Sequence, residues 1–336
     1  MENITMDFRT LSEIWFAENE YNQCFTHRRA LFTLVEHANR KFGNKNITDI
    51  KPIEISELIK ELAVKNPNTN KPAAKKTLKT LVSTLYRIFD MAIDNDWIVK
   101  NPAKNKNKII PKNAPKKDTP AVPESVQKLI IEVPHRCQCA ALIMMLMGLR
   151  TGELLALEWN DIDLIKRRAY IHRHVVKIDN GKYISEEGTK TMNTRYVTIP
   201  EELCKFLVLE KQKAKSHYVV SKINGDMCTP PAFRSAWNGY INTLNFEEYK
   251  KSFNENVSKF DPKGYPKTIK IAPHQLRHTY ATLLYFSEVA PLTTSNLLGH
   301  TTVEFTLNTY THLDEEHKTL DISKFDNYLS QNLYNI

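Results

Sequence analysis

The sequence changes character abruptly between residues 97 and 117, and this segment limits what the chain can fold into. It contains seven lysines and no acidic residue. Pro102, Pro111 and Pro115 fix the backbone angle at their own positions and disfavour helix in the residue before each of them. A chain of 336 residues is long enough for two domains. We therefore predict an extended basic linker at 107–120, between domains at 1–106 and 121–336.

The segment before the linker has the periodicity of four amphipathic helices. Apolar residues recur at helical spacing near 11–17, 26–38, 53–62 and 73–93, which predicts a small N-terminal helical bundle. Basic residues on its polar faces and in the linker are candidates for contact with a DNA backbone, although each of them also suits an ordinary solvated surface. These candidates are Arg28, Arg29, Lys75, Lys76, Lys79, Lys104, Lys106 and Lys108.

The second half mixes helical and strand-like segments. Helices are expected from residue 124, at 135–147, at 201–215 and at 231–244, and β-branched and aromatic residues predict strands at 169–178, 182–185 and 195–199. The polar stretch at 247–267 is expected to be a loop or small insertion. The predicted fold class is mainly α with a small antiparallel β-sheet: a four-helix N-terminal domain and a mixed α/β C-terminal domain.

Composition limits the function classes. The chain has 47 basic and 38 acidic residues, for a formal charge of +9. Such a surplus favours a polyanionic partner, because cationic side chains bound to phosphates release counterions. The five cysteines are scattered, which favours reduced thiols. The sequence has neither a signal peptide nor an apolar run of about 20 residues, so we expect an intracellular protein with no membrane segment.

Several residues in the second half have the chemistry required to cleave a phosphodiester. Arginine forks bind non-bridging phosphate oxygens, a tyrosine can attack phosphorus if a base or cationic field assists it, and a lysine or histidine can protonate the departing oxygen. Glycines on both sides of Arg150 predict a sharp turn that sets this arginine at the start of a helix. The candidate set is Arg150, Lys190, His274, Arg277, His300 and Tyr310.

Other interpretations of these residues stay open at this point. His274 and His278 have zinc-ligand spacing, with His300 as a third ligand, but Gln275 replaces the glutamate of the usual metalloprotease motif. A single tyrosine such as Tyr310 most often serves packing. Lysines near Lys190 compete with it for the role of general acid, namely Lys177, Lys182 and Lys205.

Four sequence boxes in the second half resemble those of the tyrosine recombinase (phage integrase) family. They are Gly-Leu-Arg-Thr-Gly-Glu at 148–153, His-Gln-Leu-Arg-His-Thr at 274–279, Leu-Gly-His at 298–300 and Tyr-Thr-His at 310–312. Their order, spacing and flanks agree with the family pattern over residues 122–312. The helical segment before them more weakly resembles the family's core-site-binding domain. The resemblance implies a site-specific recombinase of a phage or other mobile element, with a recombinase catalytic domain at 121–336.

The resemblance also implies a role for each site residue. Tyr310 would attack the phosphate and form a 3′-phosphotyrosine, Arg150 and Arg277 would hold the non-bridging oxygens with His300, and Lys190 would be the general acid. His274 would help to take the tyrosine proton, and Glu153 would support the site. No metal or other cofactor is implied.

Expected partners follow from the same resemblance. They are double-stranded DNA at recombination sites, a homotetramer that forms on DNA from free monomers and passes through a Holliday junction, and an accessory directionality factor. The C-terminal tail is expected to dock on a neighbouring protomer, and the protein to be cytoplasmic and nucleoid-associated. The alternatives are a catalytically silent sequence-specific DNA-binding relative and, more remotely, a metal-dependent nuclease.

Overall fold

The computed structural model describes residues 5–19, 25–112, 120–178, 181–188, 194–252 and 264–299. The chain divides into two compact units. One consists of residues 1–118 together with 177–182, and the other of residues 119–176 together with 183–336. We describe each unit by itself.

The described residues of the first unit contain the four helices that periodicity predicts. They are α1 (Phe8–Glu18), α2 (Phe25–Phe42), α3 (Pro52–Val64) and α4 (Lys75–Asp94). The carboxylate of Asp7 caps α1 by accepting the Thr10 N–H at 2.8 Å. On α4 the apolar residues fall on one stripe, and from Leu78 to Ala92 that stripe is buried. The ring of Phe8 lies at the centre, 5.0 Å from Phe42 and 5.3 Å from Phe89.

The beginning of the predicted linker packs into this unit rather than extending away from it. Residues Lys106–Ile109 form a 3₁₀ turn, and Ile110 is buried in the helical core. The Lys106 ammonium donates a hydrogen bond to Ser56 Oγ on α3 at 3.0 Å. Two adjacent isoleucines explain the difference, because burying them outweighs the tendency of the lysines to stay solvated. Residues 113–119 of the linker lie outside the described residues.

The second unit is built around helix α6 (Gln138–Met147), which is apolar on nearly every side and therefore buried. The most extensive helix contact among its described residues is between α6 and α10 (Pro273–Phe286). The helices among the described residues of this unit are α5 (Glu124–Glu132), α6 (Gln138–Met147), α7 (Thr151–Ala156), α8 (Glu201–Lys213), α9 (Pro230–Ser252), α10 (Pro273–Phe286) and α11 (Pro291–Leu298).

Two small antiparallel sheets accompany these helices in the part of the unit that the structure describes. The strands are β1 (Ile162–Asp163), β2 (Arg168–Ile171), β3 (Arg173–Lys177), β4 (Tyr183–Glu187) and β5 (Arg195–Thr198). One sheet has the order β1-β2-β5, and β3 pairs with β4 in the other. In the first sheet Ile171 is opposite Arg195 and Ala169 is opposite Val197. The predicted fold class, mainly α with a small antiparallel β component, is confirmed.

Two details differ from the sequence predictions. The predicted strand at 169–178 is interrupted at His172, so that β2 and β3 join different sheets. The Arg173 guanidinium pairs with the carboxylates of Glu158 and Asp161, and these buried contacts hold the chain in its new direction. The predicted loop at 247–267 is also partly wrong, because α9 continues to Ser252.

None of the helices in the described part of the chain combines the length and apolarity that a bilayer crossing requires. The four described cysteines are buried and form no disulfide, as expected for reduced thiols: Cys137, Cys139, Cys204 and Cys228.

Helix α3 offers a matched pair of isoleucines for testing the helical core. Ile59 is 0% exposed, whereas Ile53 is 56% exposed. We expect Ile59→Ala to lower the free energy of unfolding by about 2–5 kcal/mol, because it leaves a cavity in the core. Ile53→Ala should change it by no more than about 0.5 kcal/mol. Urea denaturation of the full chain, followed by far-UV circular dichroism, measures both, and equal losses would contradict the packing described here.

Candidate active site

The end of α6 and the start of α7 present Arg150. Gly148 ends α6 with φ at 66°, a left-handed conformation that disfavours other residues, and an added Cβ there would collide with the Tyr280 ring. Arg150 then precedes the first turn of α7, and its backbone N–H donates to Glu153 Oε2 at 2.9 Å. The predicted turn that sets this arginine at a helix start is therefore confirmed.

Glu153 is a buried carboxylate shared by two arginines. It is 2% exposed, and it accepts hydrogen bonds from Arg150 NH1 at 2.8 Å and from Arg195 NH1 and NH2 at 3.1 and 2.9 Å. Burial by itself opposes ionisation of this carboxyl, but the hydrogen bonds and charge of Arg195, followed by those of Arg150, outweigh it. Together they lower the pKa of Glu153 to about 2. The carboxylate is therefore ionised at neutral pH.

Arg277 is a buried cation held by backbone carbonyls. It is 4% exposed, and its guanidinium donates to the Gly148 carbonyl at 2.6 Å and to the Leu298 carbonyl. None of the ion pairs among the described residues includes it. Burial, followed by the repulsion of Arg150, lowers the pKa of Arg277 to about 9. This guanidinium is thus a charged group in an environment that supplies too little negative charge.

The end of α11 is bound by all three arginines. Its last carbonyls are free of helical partners, and each of three consecutive ones accepts from a different arginine. The Leu297 carbonyl accepts from Arg195 Nε at 2.9 Å, the Leu298 carbonyl accepts from Arg277 NH2, and the Gly299 carbonyl accepts from Arg150 NH2 at 2.7 Å. The partial negative charge at a helix C-terminus suits this arrangement.

The resulting cluster has an excess of positive charge. Three guanidinium groups face one described carboxylate, that of Glu153, so three positive charges and one negative charge leave a formal charge of +2. Arg150 is the most accessible of the three, with 21% of its side chain exposed. A cluster with this charge, built from planar forks, is suited to bind a tetrahedral oxyanion.

His274 lies in the first turn of α10, one turn before Arg277, and is exposed. Its ring packs edge-to-face with His278, with centroids 4.9 Å apart. His274 also lines a cavity of about 760 Å³, together with Thr151 of α7 and Trp237 of α9. Two of the predicted boxes, at 148–153 and 274–279, therefore meet at one site.

Three predicted site residues, Lys190, His300 and Tyr310, lie outside the described residues. His300 directly follows Gly299, whose carbonyl is bound by Arg150. The zinc alternative needs His300 as a ligand. Among the described residues no group of three potential metal ligands converges.

Arg195 is a residue of the cluster that the sequence analysis missed. Only 9% of its side chain is exposed. A signal for it was present in the alternation of β5, where Arg195 lies on the same face as Val197, which is fully buried. An arginine on the buried face of a strand requires a partner of opposite charge or a set of carbonyls.

The pH dependence of stability tests the buried carboxylate. The pKa of Glu153 is lowered from 4.5 to about 2 on folding, so its stabilising effect is present above pH 4.5 and is lost as the pH falls towards 2. The shift corresponds to about 3 kcal/mol. We expect Glu153→Gln to destabilise the protein by about 3–5 kcal/mol at pH 7, because it leaves the buried Arg195 and the partly buried Arg150 without their anion, and the deficit should shrink below pH 4.5.

Chemical denaturation at a series of pH values measures this difference. Glu201→Gln serves as the control, because Glu201 is exposed and its loss should cost no more than about 1 kcal/mol at pH 7. A deficit for Glu153→Gln that stays constant down to pH 3 would contradict the assignment.

Comparisons with known proteins agree with this geometry. A model of the phage integrase family matches residues 122–317. A tyrosine recombinase XerC-like protein of Caldanaerobacter subterraneus is 30% identical over 302 residues, which cover 84% of this chain and 72% of the relative. The ICEBs1 integrase of Bacillus subtilis is 25% identical over 329 residues, which cover 97% of this chain and 84% of that protein.

Solved structures share the fold. The Tn1549 transposon integrase in complex with transposon right end DNA aligns with a TM-score of 0.74 at 21% identity, over 95% of this chain and 99% of that one. A lambda integrase dimer bound to a core site aligns with a TM-score of 0.58 at 15% identity, over 92% of this chain and 97% of that one. With the family match and the 30% identical relative, the conclusion is that the chain belongs to the phage integrase family and is a tyrosine-type site-specific DNA recombinase.

Proposed function

We propose that this chain is the integrase of a mobile DNA element and that the arginine cluster binds the scissile phosphate of its recombination site. The observation that carries the proposal is the +2 charge of three converging guanidinium groups around Glu153, the one carboxylate that faces them among the described residues. The names of the relatives support the mobile element, since they include the ICEBs1 integrase and the transposases of Tn916 and Tn1545.

A bound phosphate would supply the charge that the cluster lacks. Arg277 is buried and has a lowered pKa, so an anion beside it removes an unfavourable interaction as well as adding a favourable one. Arg150 retains exposed surface through which its fork can reach a non-bridging oxygen. As phosphorus is attacked, charge accumulates on these oxygens, and guanidinium groups already fixed in place stabilise it without reorganisation.

The cleavage step uses residues beyond the described cluster. The Tyr310 hydroxyl oxygen attacks phosphorus, the bond from phosphorus to the 5′ oxygen breaks, and a 3′-phosphotyrosine forms. His274 helps to take the tyrosine proton, and Lys190 donates a proton to the departing 5′ oxygen. His300 assists the arginines at the non-bridging oxygens. The phosphotyrosine retains the energy of the broken linkage, so rejoining needs no ATP, and the arginines take the place of a metal ion.

The basic surface of the helical unit is proposed to hold the duplex. Arg29, Lys76 and Lys79 are exposed, as are Lys104 and Lys108. Arg28 is half-buried, and the other two cations already have backbone or hydroxyl partners, since Lys75 donates to the Lys112 carbonyl and Lys106 donates to Ser56. An exposed lysine loses little solvation free energy when phosphate oxygens replace its bound water. The counterions that it releases from the DNA favour binding.

We further propose that free monomers assemble as a homotetramer on two DNA sites and exchange strands through a Holliday junction, with an accessory factor setting direction. One supporting observation is that a lambda integrase tetramer has been solved on a Holliday junction. The C-terminal tail proposed to dock on a neighbour lies outside the described residues.

A covalent trap tests the proposed chemistry. The protein is incubated in EDTA with duplex DNA that carries the junction sequences of its own element. We expect a protein–DNA adduct that survives SDS and disappears in Tyr310→Phe, because only the tyrosine oxygen forms the ester. Sequence-specific binding without any adduct would instead favour a catalytically silent DNA-binding relative. Cleavage of the DNA without an adduct, seen only when a metal ion is restored, would favour a metal-dependent nuclease.

A modified substrate tests the proposed general acid. When sulfur replaces the bridging 5′ oxygen, the departing thiolate needs no proton. Lys190→Ala should therefore slow adduct formation by about 100-fold or more on the natural linkage and by only a few-fold on the sulfur substrate. The matched control is Lys205→Ala, since Lys205 is exposed on α8 and paired with Glu201 and Glu202. Equal losses for Lys190→Ala on both substrates would exclude the assignment.

A further inference from the structure

Arg195 differs from the other two arginines of the cluster because all three of its guanidinium nitrogens donate to protein acceptors among the described residues, whereas the bonds of Arg150 and Arg277 use their two terminal nitrogens. Its Nε donates to the Leu297 carbonyl, and both terminal nitrogens donate to the two oxygens of Glu153. With 9% of its side chain exposed, it is also screened from any DNA at the surface. A residue held in this way acts on the reaction only through what it holds.

The groups that Arg195 holds belong to parts of the site that are far apart in sequence. Glu153 also binds Arg150 through both the side chain and the backbone N–H. Leu297 lies in the last turn of α11, three residues before His300. The backbone of Arg195 is fixed opposite Ile171 in the β2–β5 ladder, five residues after Lys190. One side chain therefore connects the first arginine box with β5, which follows Lys190 in the sequence, and with the end of α11, which precedes His300.

We propose that Arg195 is a positioning residue for strand cleavage: it neutralises Glu153 and fixes the end of α11, so that Arg150 keeps its charge and its direction for the scissile phosphate. This inference rests on the proposed function. It adds a residue that touches neither substrate nor the reacting atoms and yet sets the rate.

The charge arrangement gives the physical reason. Glu153, Arg150 and Arg195 together carry one net positive charge, because one carboxylate is paired with two guanidinium groups. If Arg195 is removed, Glu153 pairs with Arg150 alone, and that pair has no net charge. Arg150 would then meet the phosphate with its charge largely compensated, and Glu153 would compete with the phosphate for the same nitrogens. The attraction between Glu153 and Arg150 is strong in this site, because little water is present to screen it.

Gly299 is shaped to the same contact. An added Cβ there would lie 2.8 Å from Arg195 NH1 and 3.0 Å from its Cζ, and the backbone has φ at 64°. The last residue before His300 thus packs directly against the Arg195 guanidinium, with no space between them for a side chain. The Leu-Gly-His box therefore requires its glycine for the close approach of Arg195 as well as for the helix end.

The test compares single-turnover adduct formation on two substrates with the junction sequence, one with the natural phosphodiester and one with an uncharged methylphosphonate at the scissile position. We expect Arg195→Gln to slow the phosphodiester reaction by about 100-fold, because Arg150 is misdirected and its charge compensated. On the methylphosphonate, which does not need the full positive charge, the loss should be at most a few-fold. Arg195→Lys, which keeps the charge, should recover about tenfold of the phosphodiester rate relative to Arg195→Gln.

Arg173→Gln is the matched control. Arg173 is also a largely buried arginine that pairs with two carboxylates in the same unit, those of Glu158 and Asp161, but it lies outside the cluster. Its loss should lower the melting temperature and slow both substrates to the same small extent. Equal losses for Arg195→Gln on the two substrates, in step with its melting temperature as for Arg173→Gln, would show a merely structural role and overturn the inference.

Different experimental outcomes contradict the proposed function and the role of Arg195. A wild-type protein that binds the junction DNA and forms no adduct overturns the proposed function and this inference with it. A wild-type protein that forms the adduct, with Arg195→Gln as fast as wild type on the phosphodiester, overturns the inference alone.

Discussion

The shared carboxylate of Glu153 is the interaction on which the catalytic unit depends. An arginine cluster that is proposed to bind phosphate has to exist before the phosphate arrives, and three guanidinium groups repel one another in a buried site. Glu153 reduces this repulsion by pairing with Arg150 and Arg195 at 2.8–3.1 Å, at the cost of its own desolvation. Arg277 receives little of this compensation and has a pKa lowered to about 9. The site is thus stable enough to fold and still deficient in negative charge.

Backbone carbonyls at helix ends are the other hydrogen-bond acceptors of the arginines. Arg277 lies between the C-terminus of α6 and that of α11, and it donates to a carbonyl at each. These carbonyls have no partner inside their own helices, and the helix dipole makes them partly negative. Neutral backbone groups therefore orient the cations without cancelling their charge. A second carboxylate in the same place would hold Arg277 more strongly, but it would also compete with the substrate.

The end of α11 connects binding to the residues that follow it. Carbonyls 297–299 each accept from a different arginine, so the cluster fixes the backbone directly before His300. Two of these arginines are proposed to contact the phosphate, while Arg195 is committed to Glu153 and Leu297. The hydrogen bond from Arg195 to the Leu297 carbonyl therefore does not depend on what Arg150 and Arg277 bind. This is a physical reason for an arginine at position 195.

Local patterns in the sequence determined much of the secondary structure of this protein. Apolar spacing predicted the four N-terminal helices, and the glycines around Arg150 predicted the turn that presents it, because each of these depends on neighbours within a few residues. The boxes at 148–153 and 274–279 predicted two members of the cluster by their chemistry. The roles of Lys190, His300 and Tyr310, which lie outside the described residues, stay predictions.

Contacts between distant residues were decided only by the tertiary structure. Arg195 meets Glu153 across 42 positions and Leu297 across 102, and no local pattern encodes such a separation. The break at His172 depends in the same way on the pairing of Arg173 with Glu158 and Asp161, and the packing of Ile110 depends on helices that precede it by tens of residues. The sequence determined which charges are present and which segments are helical. Only folding decided which charge lies beside which, because buried ions choose partners by proximity in space.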